Sequence, residues 1–309
     1  MKTASPLRYP GGKWRIARFF ERLLHANYDQ PPTYLEPFAG GASLALTLLL
    51  RGFVSRIFLN DLDPAVHAFW RTITNEPARL IRLIERTTIS PKEWRRQREI
   101  YNTGANAGHL ALGFAFFFLN RTSHSGILNG GMIGGKKQRG IWKIDARFNR
   151  VELIERIRRI IAVKHLIHVS GIDGLEFINQ HRGRRTRSLV YLDPPYFTAG
   201  RDLYLNAYRP EDHSRVREAV ASLQAPWVVS YDDVPTIKAL YPDVRCRHLN
   251  LIHTARDTRV GEEVMFFSDR LRIPRFVPYR SADLKSPMTT LGASGVGRTH
   301  GTARRPELQ

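Results

Sequence analysis

An acid, two prolines and an aromatic residue follow one another at the end of an apolar run, in the order Asp193-Pro194-Pro195-Tyr196. The run, 189–192, predicts a buried strand, and paired prolines end a strand and fix the backbone beyond it. We therefore expect the Asp193 carboxylate at the carboxyl edge of a sheet, where the ligand sites of α/β proteins lie.

This motif suits the methylation of an exocyclic amine on a nucleobase. Such an amine is a poor nucleophile because its lone pair is delocalised into the ring, and its N–H groups need acceptors as the nitrogen becomes tetrahedral. The Asp193 carboxylate and the Pro194 carbonyl can supply both acceptors, while Tyr196 can stack on a base that has left its helix. The alternative is a turn that only ends the strand and buries an aromatic side chain.

A glycine-rich turn, EPFAGGAS at 36–43, separates a predicted strand from a predicted helix. Small residues let a backbone approach a bound nucleoside closely, although such turns also occur without a ligand. Asp61 ends the next apolar run about 20 residues later, where an acid commonly accepts hydrogen bonds from ribose hydroxyls. Either Asp61 or Asp63 can instead cap the helix that begins at Pro64. No Lys-Ser/Thr pair follows the glycines, so the turn does not indicate an ATP-binding P-loop.

Two weaker signals accompany this turn. The glycine pair of YPGGK, at 9–13, stands beside Lys13 and can meet a carboxylate, but in isolation it is typical of an ordinary turn. Asp173 follows the apolar run HLIHVS, where it can accept a hydrogen bond from an adenine amine, cap the helix after it, or do both.

The composition favours a nucleic-acid partner. The chain carries 48 Lys and Arg against 28 Asp and Glu in 309 residues, a net charge of +20 that attracts polyanions. The single cysteine, Cys246, excludes an intrachain disulfide and a multi-cysteine zinc site, and the scattered histidines predict no metal site. The longest apolar run, 110–119, is too short to span a membrane and the first residues lack a signal-peptide core, so we expect a soluble, intracellular protein.

Predicted strands and predicted helices, which can position these residues, alternate along much of the chain. Apolar runs between helical patterns predict a mostly parallel sheet with helices on both faces. Between about 76 and 165 this rhythm gives way to arginine-rich helical patterns and a glycine-rich basic stretch; residues 120–165 hold eleven Lys and Arg and three Asp and Glu. The predicted strands are 34–38, 55–60, 165–170, 188–192, 227–230, 244–254 and 264–268.

Taken in order, these motifs resemble those of the DNA adenine methylase (Dam-like) family of S-adenosylmethionine-dependent N6-adenine methyltransferases. The matching pieces are YPGGK (9–13), LEPFAGGAS (35–43), LNDLDP (59–64), FFFLNRTSHSG (116–126) and VYLDPPY (190–196). They span about the first 200 residues, and it is their combination that is specific.

The resemblance implies an α/β fold: a Rossmann-like core with a seven-stranded, mostly parallel sheet, one antiparallel strand and helices on both faces. It implies a catalytic methyltransferase core at 1–75 and 165–277, interrupted at 76–164 by a mainly helical DNA target-recognition insert with a β-hairpin. The remaining segment, 278–309, is poor in large apolar residues and predicts a disordered basic tail.

The resemblance also implies a site-specific enzyme that transfers a methyl group from S-adenosylmethionine to N6 of adenine in duplex DNA, without a metal, after flipping the base into the DPPY pocket. The implied catalytic residues are Asp193, Pro194, Pro195 and Tyr196. The implied cofactor site comprises Tyr9, Gly11, Lys13, Glu36, Phe38, Gly40, Ser43, Asp61, Asp173 and Asp193. The implied DNA contacts are Asn120, Arg121, His124, Lys136, Lys137 and Arg139.

Within those roles, Tyr9 and Lys13 are expected to flank the methionine end of the cofactor. Asp61 is expected to bind its ribose and Asp173 its adenine. By the same resemblance we expect a monomer that acts on double-stranded DNA in the cytoplasm of a prokaryote or in a phage setting, with restriction–modification as one context.

Three positions depart from the family pattern. Ala42 stands where a glycine is common, and it is small enough for cofactor binding to survive. Tyr9 replaces a frequent Trp, and His124 occupies a hairpin position that is often aromatic.

Other substrates and one other class of protein stay open as alternatives. Related motifs serve enzymes that methylate N4 of cytosine or amines in RNA; cytosine enzymes more often begin the motif with Ser, so Asp193 favours adenine. The further alternative is a non-catalytic nucleic-acid-binding protein on a decayed methyltransferase fold.

Overall fold

The computed structural model describes residues 3–9, 13–184, 187–197, 208–253 and 259–275. Seven strands form one sheet in the order β3-β2-β1-β4-β5-β7-β6, with β7 antiparallel to both of its neighbours and the other pairs parallel. The predicted α/β fold class is confirmed. The strands are β1 (Thr33–Glu36), β2 (Arg56–Asn60), β3 (Ile167–Ser170), β4 (Ser188–Leu192), β5 (Trp227–Asp232), β6 (Cys246–His253) and β7 (Arg259–Phe267).

Helices cover both faces of this sheet, which explains why its central strands are apolar at successive positions. All five residues of β4 are buried, as expected for a parallel strand with helices on either side. The helices are α1 (Ala17–Asn27), α2 (Ser43–Leu50), α3 (Pro64–Asn75), α4 (Pro77–Arg86), α5 (Pro91–Thr103), α6 (His109–Thr122), α7 (Arg150–Ala162), α8 (Gly174–His181), α9 (Pro210–Ala221) and α10 (Pro235–Leu240).

The point where the strand order reverses lies between β1 and β4. From β1 the chain first adds β2 and β3 on one side, and it then returns to add β4 and β5 on the other. A crevice forms at such a reversal outside the carboxyl ends of the strands. Each of the parallel strands β2, β3 and β4 is followed at this edge by an acid, namely Asp61, Asp173 and Asp193.

The helical segment that follows α3 packs into the core of the sheet domain. The Phe69 ring of α3 stacks on the Phe117 ring of α6, with centroids 5.6 Å apart and planes 2° from parallel. A Cβ on Gly113 would lie 2.8 Å from the Ala68 carbonyl oxygen, so α6 approaches α3 at its backbone. The helical character of 76–164 is as expected, while its limits as a separate domain stay a prediction.

The expected β-hairpin is wrong for the described residues. Between α6 and α7 the chain forms turns joined by a single antiparallel bridge, Ser123 to Met132, because side-chain and turn hydrogen bonds replace a strand ladder there. The expected tail, 278–309, lies outside the described residues. Within the described ranges, none of the helices has the length and apolar character needed to cross a membrane.

Candidate active site

Asp193 follows β4 directly, and its carboxylate is held in one orientation by two neighbouring strands. Ser230 Oγ, on β5, donates a hydrogen bond of 2.8 Å to Asp193 Oδ1, and the Tyr191 hydroxyl lies 2.7 Å from Ser230 Oγ. The Asp193 side chain is still 21% exposed, so a ligand in the crevice can reach it. Burial raises the pKa of Asp193, and the nearby ammonium of Lys13 opposes that rise.

Lys13 lies at the centre of this cluster rather than at its rim. Its Nζ is 3.2 Å from Asp193 Oδ1 and 2.9 Å from each carboxylate oxygen of Glu263, and it donates to the Tyr196 hydroxyl. Burial alone lowers the pKa of Lys13, but the two carboxylates outweigh burial and raise it. Lys13 is therefore a charged ammonium bound to the DPPY motif.

Glu263 was missed by the sequence analysis, although it is central to the cluster. It lies on β7 in register with Asp232 of β5, is 1% exposed, and accepts a hydrogen bond from the Tyr196 hydroxyl. The available signal was a pair of acids, Glu262 and Glu263, inside an apolar strand, where alternation turns one of them inward. With one cation and two carboxylates, the Lys13, Asp193 and Glu263 group is net negative.

The backbone of the DPPY motif is also fixed at its far end. The Phe197 N–H donates to Asp232 Oδ1 at 3.0 Å, so the chain after Tyr196 is tied to the end of β5. The structure thus brings together Lys13, Asp193 and Tyr196 from the predicted site and adds Ser230, Asp232 and Glu263 to them.

The glycine turn after β1 carries the Tyr9 ring on its surface. A Cβ on Gly40 would lie 2.7 Å from Tyr9 Cε1, and one on Gly41 would lie 2.7 Å from Tyr9 Cβ, so neither position has room for a side chain. Gly40 has φ +45°, and its carbonyl accepts a 2.9 Å hydrogen bond from Trp70 Nε1. The next residue but one, Ala42, takes the left-handed conformation at φ 46° and ψ 29° immediately before α2.

Asp61 holds this turn in place. Its Oδ2 accepts from the Gly40 N–H at 2.7 Å and its Oδ1 from the Asp63 N–H at 3.0 Å. Burial raises the pKa of Asp61 to about 7, although both hydrogen bonds favour the ionised form. The helix-capping alternative belongs to Asp63, whose Oδ1 accepts from Ala65 N at 2.8 Å. Each Asp61 oxygen keeps lone-pair capacity for a further donor.

Asp173 caps α8 and lies beside two aromatic rings. Its Oδ1 accepts from the N–H groups of Leu175 and Glu176 at 2.9 and 3.2 Å. Phe38 packs so closely on Gly174, at the start of α8, that a Cβ there would overlap its ring. The Phe38 ring meets Tyr208 edge to face at a centroid distance of 5.9 Å. Asp173 therefore caps α8, and the aromatic rings of Phe38 and Tyr208 lie next to it.

Glu36 ends β1 between Asp61 and Asp193 as a buried acid. It is 3% exposed, and its Oε2 is buried without a hydrogen-bond partner in the described part of the chain. Burial, followed by the charges of Asp193 and Asp61, raises its pKa well above the ordinary value, which favours the neutral carboxyl group. An unpaired polar atom in the crevice indicates a polar ligand group beside it. Ser43, the first residue of α2, is the remaining described cofactor residue, and Gly11 lies outside the described residues.

One of the predicted DNA contacts, Asn120, is corrected by the structure, while Arg121 stays a prediction. Asn120 is 1% exposed, and its amide binds the Arg8 N–H and C=O at 2.8 Å each and the Gly126 carbonyl at 3.0 Å. Arg121 donates from Nε to the Arg147 carbonyl at 2.7 Å, and burial lowers its pKa to about 9. The Asn120 side chain is used inside the protein, because the end of α6 anchors the N-terminal segment, whereas the Arg121 side chain is only partly buried. The exposed residues of that prediction are His124, Lys136, Lys137 and Arg139.

No group of three or more His, Cys, Asp or Glu residues suited to a metal ion occurs within the described ranges.

Comparisons with known proteins show what the chain is similar to. A family model described as D12 class N6 adenine-specific DNA methyltransferase matches residues 9–256. The Type II methyltransferase M.MjaIII of Methanocaldococcus jannaschii is 22% identical over 226 residues, which cover 69% of this chain and 75% of that protein. The solved structure of the rRNA methyltransferase aviRa from Streptomyces viridochromogenes aligns with a TM-score of 0.39 and 16% identity, covering 84% of this chain and 86% of that one. The family match includes the glycine turn and the DPPY motif.

Proposed function

The chain belongs to the family of D12 class N6 adenine-specific DNA methyltransferases, and from this premise we propose that the cluster around Asp193 methylates an adenine that has left the duplex stack. The family activity is the transfer of a methyl group from S-adenosylmethionine to N6 of adenine in DNA. The observation that carries the proposal is the Asp193 carboxylate, held by Ser230 and Lys13 yet open to the crevice.

The residues of the crevice fit S-adenosylmethionine. Asp61 and Asp173 offer acceptors for ribose and adenine, and Phe38 offers an apolar face beside them. The unpaired Oε2 of Glu36, between Asp61 and Asp193, indicates a polar ligand group in that position. When bound, this cofactor supplies an electrophilic methyl group on a positively charged sulfur.

We assign the two acceptors of the adenine amine to Asp193 Oδ2 and the Pro194 carbonyl. Both described contacts of the Asp193 carboxylate use Oδ1, which leaves Oδ2 as the oxygen for an incoming N–H. As the amine forms its bond to the methyl carbon, the bond from that carbon to sulfur would break and S-adenosylhomocysteine would leave. The nitrogen becomes positive, and the net negative group of Lys13, Asp193 and Glu263 stabilises that charge. Asp193 then takes the surplus proton, which its raised pKa favours, and passes it to water.

Tyr196 is the proposed stacking partner of the base, and its hydroxyl is already fixed. Hydrogen bonds to Lys13 and Glu263 set the orientation of the ring before a base enters. Most of the rate increase is expected from this orientation of the reacting groups. No covalent enzyme intermediate is needed.

Residues 76–164 are the proposed target-recognition region, and a monomer is the proposed active form. The proposed recognition role of residues 76–164 is supported by the position of this segment between the cofactor motifs and the DPPY motif, together with its exposed cations.

The test compares Asp193→Asn with Asp269→Asn, a matched change at a side chain that is 90% exposed. Methyl transfer from labelled S-adenosylmethionine to DNA is measured, and the product nucleoside is identified by mass. We expect Asp193→Asn to lose at least about a hundredfold in turnover while DNA binding persists, and Asp269→Asn to match the parent chain. Turnover retained by Asp193→Asn, or a product other than N6-methyladenine, would contradict the proposal.

A further inference from the structure

Residues 131–147, here called the basic loop, present two exposed apolar side chains among cations. Ile141 is 93% exposed and Trp142 is 62% exposed. The loop contains one acid, Asp145. Its exposed cations are Lys136, Lys137, Arg139, Lys143 and Arg147.

The shape of the basic loop is fixed by its own hydrogen bonds. Gln138 Nε2 donates to the carbonyls of Ile133 and Gly135 at 2.9 and 2.7 Å, and its Oε1 accepts from the Ile144 N–H at 2.9 Å. Lys143 Nζ closes the loop by donating to the Gln138 carbonyl at 2.8 Å. A loop organised around one central side chain presents its tip with little further loss of conformational entropy on binding.

Other apolar residues of this region are buried. The exposure of Ile141 and Trp142 is therefore not caused by the absence of a hydrophobic core. Met132, Ile133 and Ile144 are each at most 6% exposed. The Trp142 backbone lies so close to Gly134 that a Cβ there would be 2.8 Å from its carbonyl oxygen. The fold thus anchors both ends of the loop and directs the Trp142 side chain outward.

The same loop is mechanically joined to the wall of the catalytic crevice. Arg121, near the end of α6, donates to the Arg147 carbonyl at 2.7 Å. Its neighbour Asn120 binds both backbone groups of Arg8, next to Tyr9, which covers the glycine turn. Contacts at the basic loop are therefore made on a surface that hydrogen bonds join to the cofactor crevice.

We propose that Ile141 and Trp142 pack against the bases of the DNA substrate while the surrounding cations bind its phosphates. This inference rests on the proposed function and names the part of the chain that meets bases. Trp142 already lies 5.3 Å from the Arg147 guanidinium, and both planar groups stack well on nucleobases. The loop has the charge of a polyanion-binding surface, whereas a second copy of a chain with net charge +20 would be repelled from it.

Stacking and phosphate binding leave different signatures, and these define the experiment. The affinity of the full chain for a fluorescently labelled DNA duplex of mixed sequence is measured by fluorescence anisotropy over a range of salt concentrations, and methyl transfer to the same duplex is measured separately. Trp142→Ala is expected to weaken binding by about 5- to 100-fold without changing the slope of log K against log salt. The double variant Lys136→Ala with Lys137→Ala is expected to reduce that slope by about 0.9 for each cation lost.

Two further variants make this comparison specific. Trp142→Phe is expected to recover most of the lost affinity, because a phenyl ring still stacks. Val151→Ala, at an apolar residue of α7 that is 80% exposed, is expected to bind as the parent chain does. Binding by Trp142→Ala within about twofold of the parent chain, or a change in its oligomeric state only, would overturn the inference. A parent chain that binds DNA but methylates no adenine would contradict the proposed function, while the loss caused by Trp142→Ala would still support the base contact.

Discussion

Removing the ammonium of Lys13 tests whether the charge of Asp193 controls methyl transfer. At 3.2 Å from Asp193 Oδ1, this ammonium favours the ionised carboxylate by about 5 kcal/mol at an effective dielectric constant of about 20. Water that enters in its place offsets part of that, and a neighbouring cation typically changes the pKa of an acid by about 1–3 units. We therefore expect Lys13→Met to raise the pKa of Asp193 by about that amount.

The direction of the predicted pH shift depends on whether the ionised or the protonated form of Asp193 accepts the hydrogen bond from the amine. Activity needs the ionised carboxylate, so it is lost as pH falls through the pKa of Asp193, which burial already raises. In Lys13→Met the acid limb of the single-turnover rate profile should move to higher pH, with DNA affinity at high pH nearly unchanged. Lys164→Met, at an exposed lysine, is the matched control. An acid limb that stays in place in Lys13→Met would refute the assigned coupling.

Three further substitutions test the surroundings of the site. Glu36→Gln should be more stable than the parent chain at pH 7, because an acid whose pKa is raised by folding lowers the free energy of unfolding at every pH above its unfolded pKa. The gain is about 1.4 kcal/mol for each pH unit between the unfolded pKa and the lower of pH 7 and the folded pKa, so it shrinks towards pH 4.5; urea unfolding at both pH values measures it, and a gain independent of pH would contradict the raised pKa. Ala42→Gly should raise the free energy of unfolding by about 0–1 kcal/mol, because glycine relieves the left-handed strain but has more conformational entropy to lose on folding. Clear destabilisation in thermal unfolding would count against that strain. Asn120→Ala should lower the free energy of unfolding, measured with denaturant, by about 2–4 kcal/mol, since it leaves the Arg8 backbone groups unpaired. A loss of DNA affinity without a loss of stability would restore the original DNA-contact assignment.

The sheet and the position of the DPPY motif could be predicted because both are local properties of the sequence. Buried parallel strands are continuous apolar runs, as at 189–192, and the prolines mark where β4 ends. The acid after each strand then has to lie at the same edge of the sheet. By that reasoning the sequence predicts Asp193 at the carboxyl edge, and the family resemblance adds Asp61 and Asp173 to the same site.

The rest of the cluster depends on contacts between distant parts of the chain. Glu263 reaches Lys13 only through the antiparallel register of β5 and β7, which no local pattern specifies. The environment of Asn120 is likewise set by Arg8, 112 residues away in the sequence. Motif resemblance placed Asn120 on the DNA, whereas the structure buries it. Between α6 and α7, the central Gln138 replaces the expected hairpin ladder.

The most direct measurement of the central claim is a crystal structure of the chain with S-adenosylhomocysteine and a duplex that contains its target adenine. The account predicts the adenine N6 within about 2.7–3.2 Å of Asp193 Oδ2 and of the Pro194 carbonyl oxygen, with Lys13 still bound to Oδ1. A target adenine that stays stacked in the duplex, or one bound away from Asp193, would contradict it.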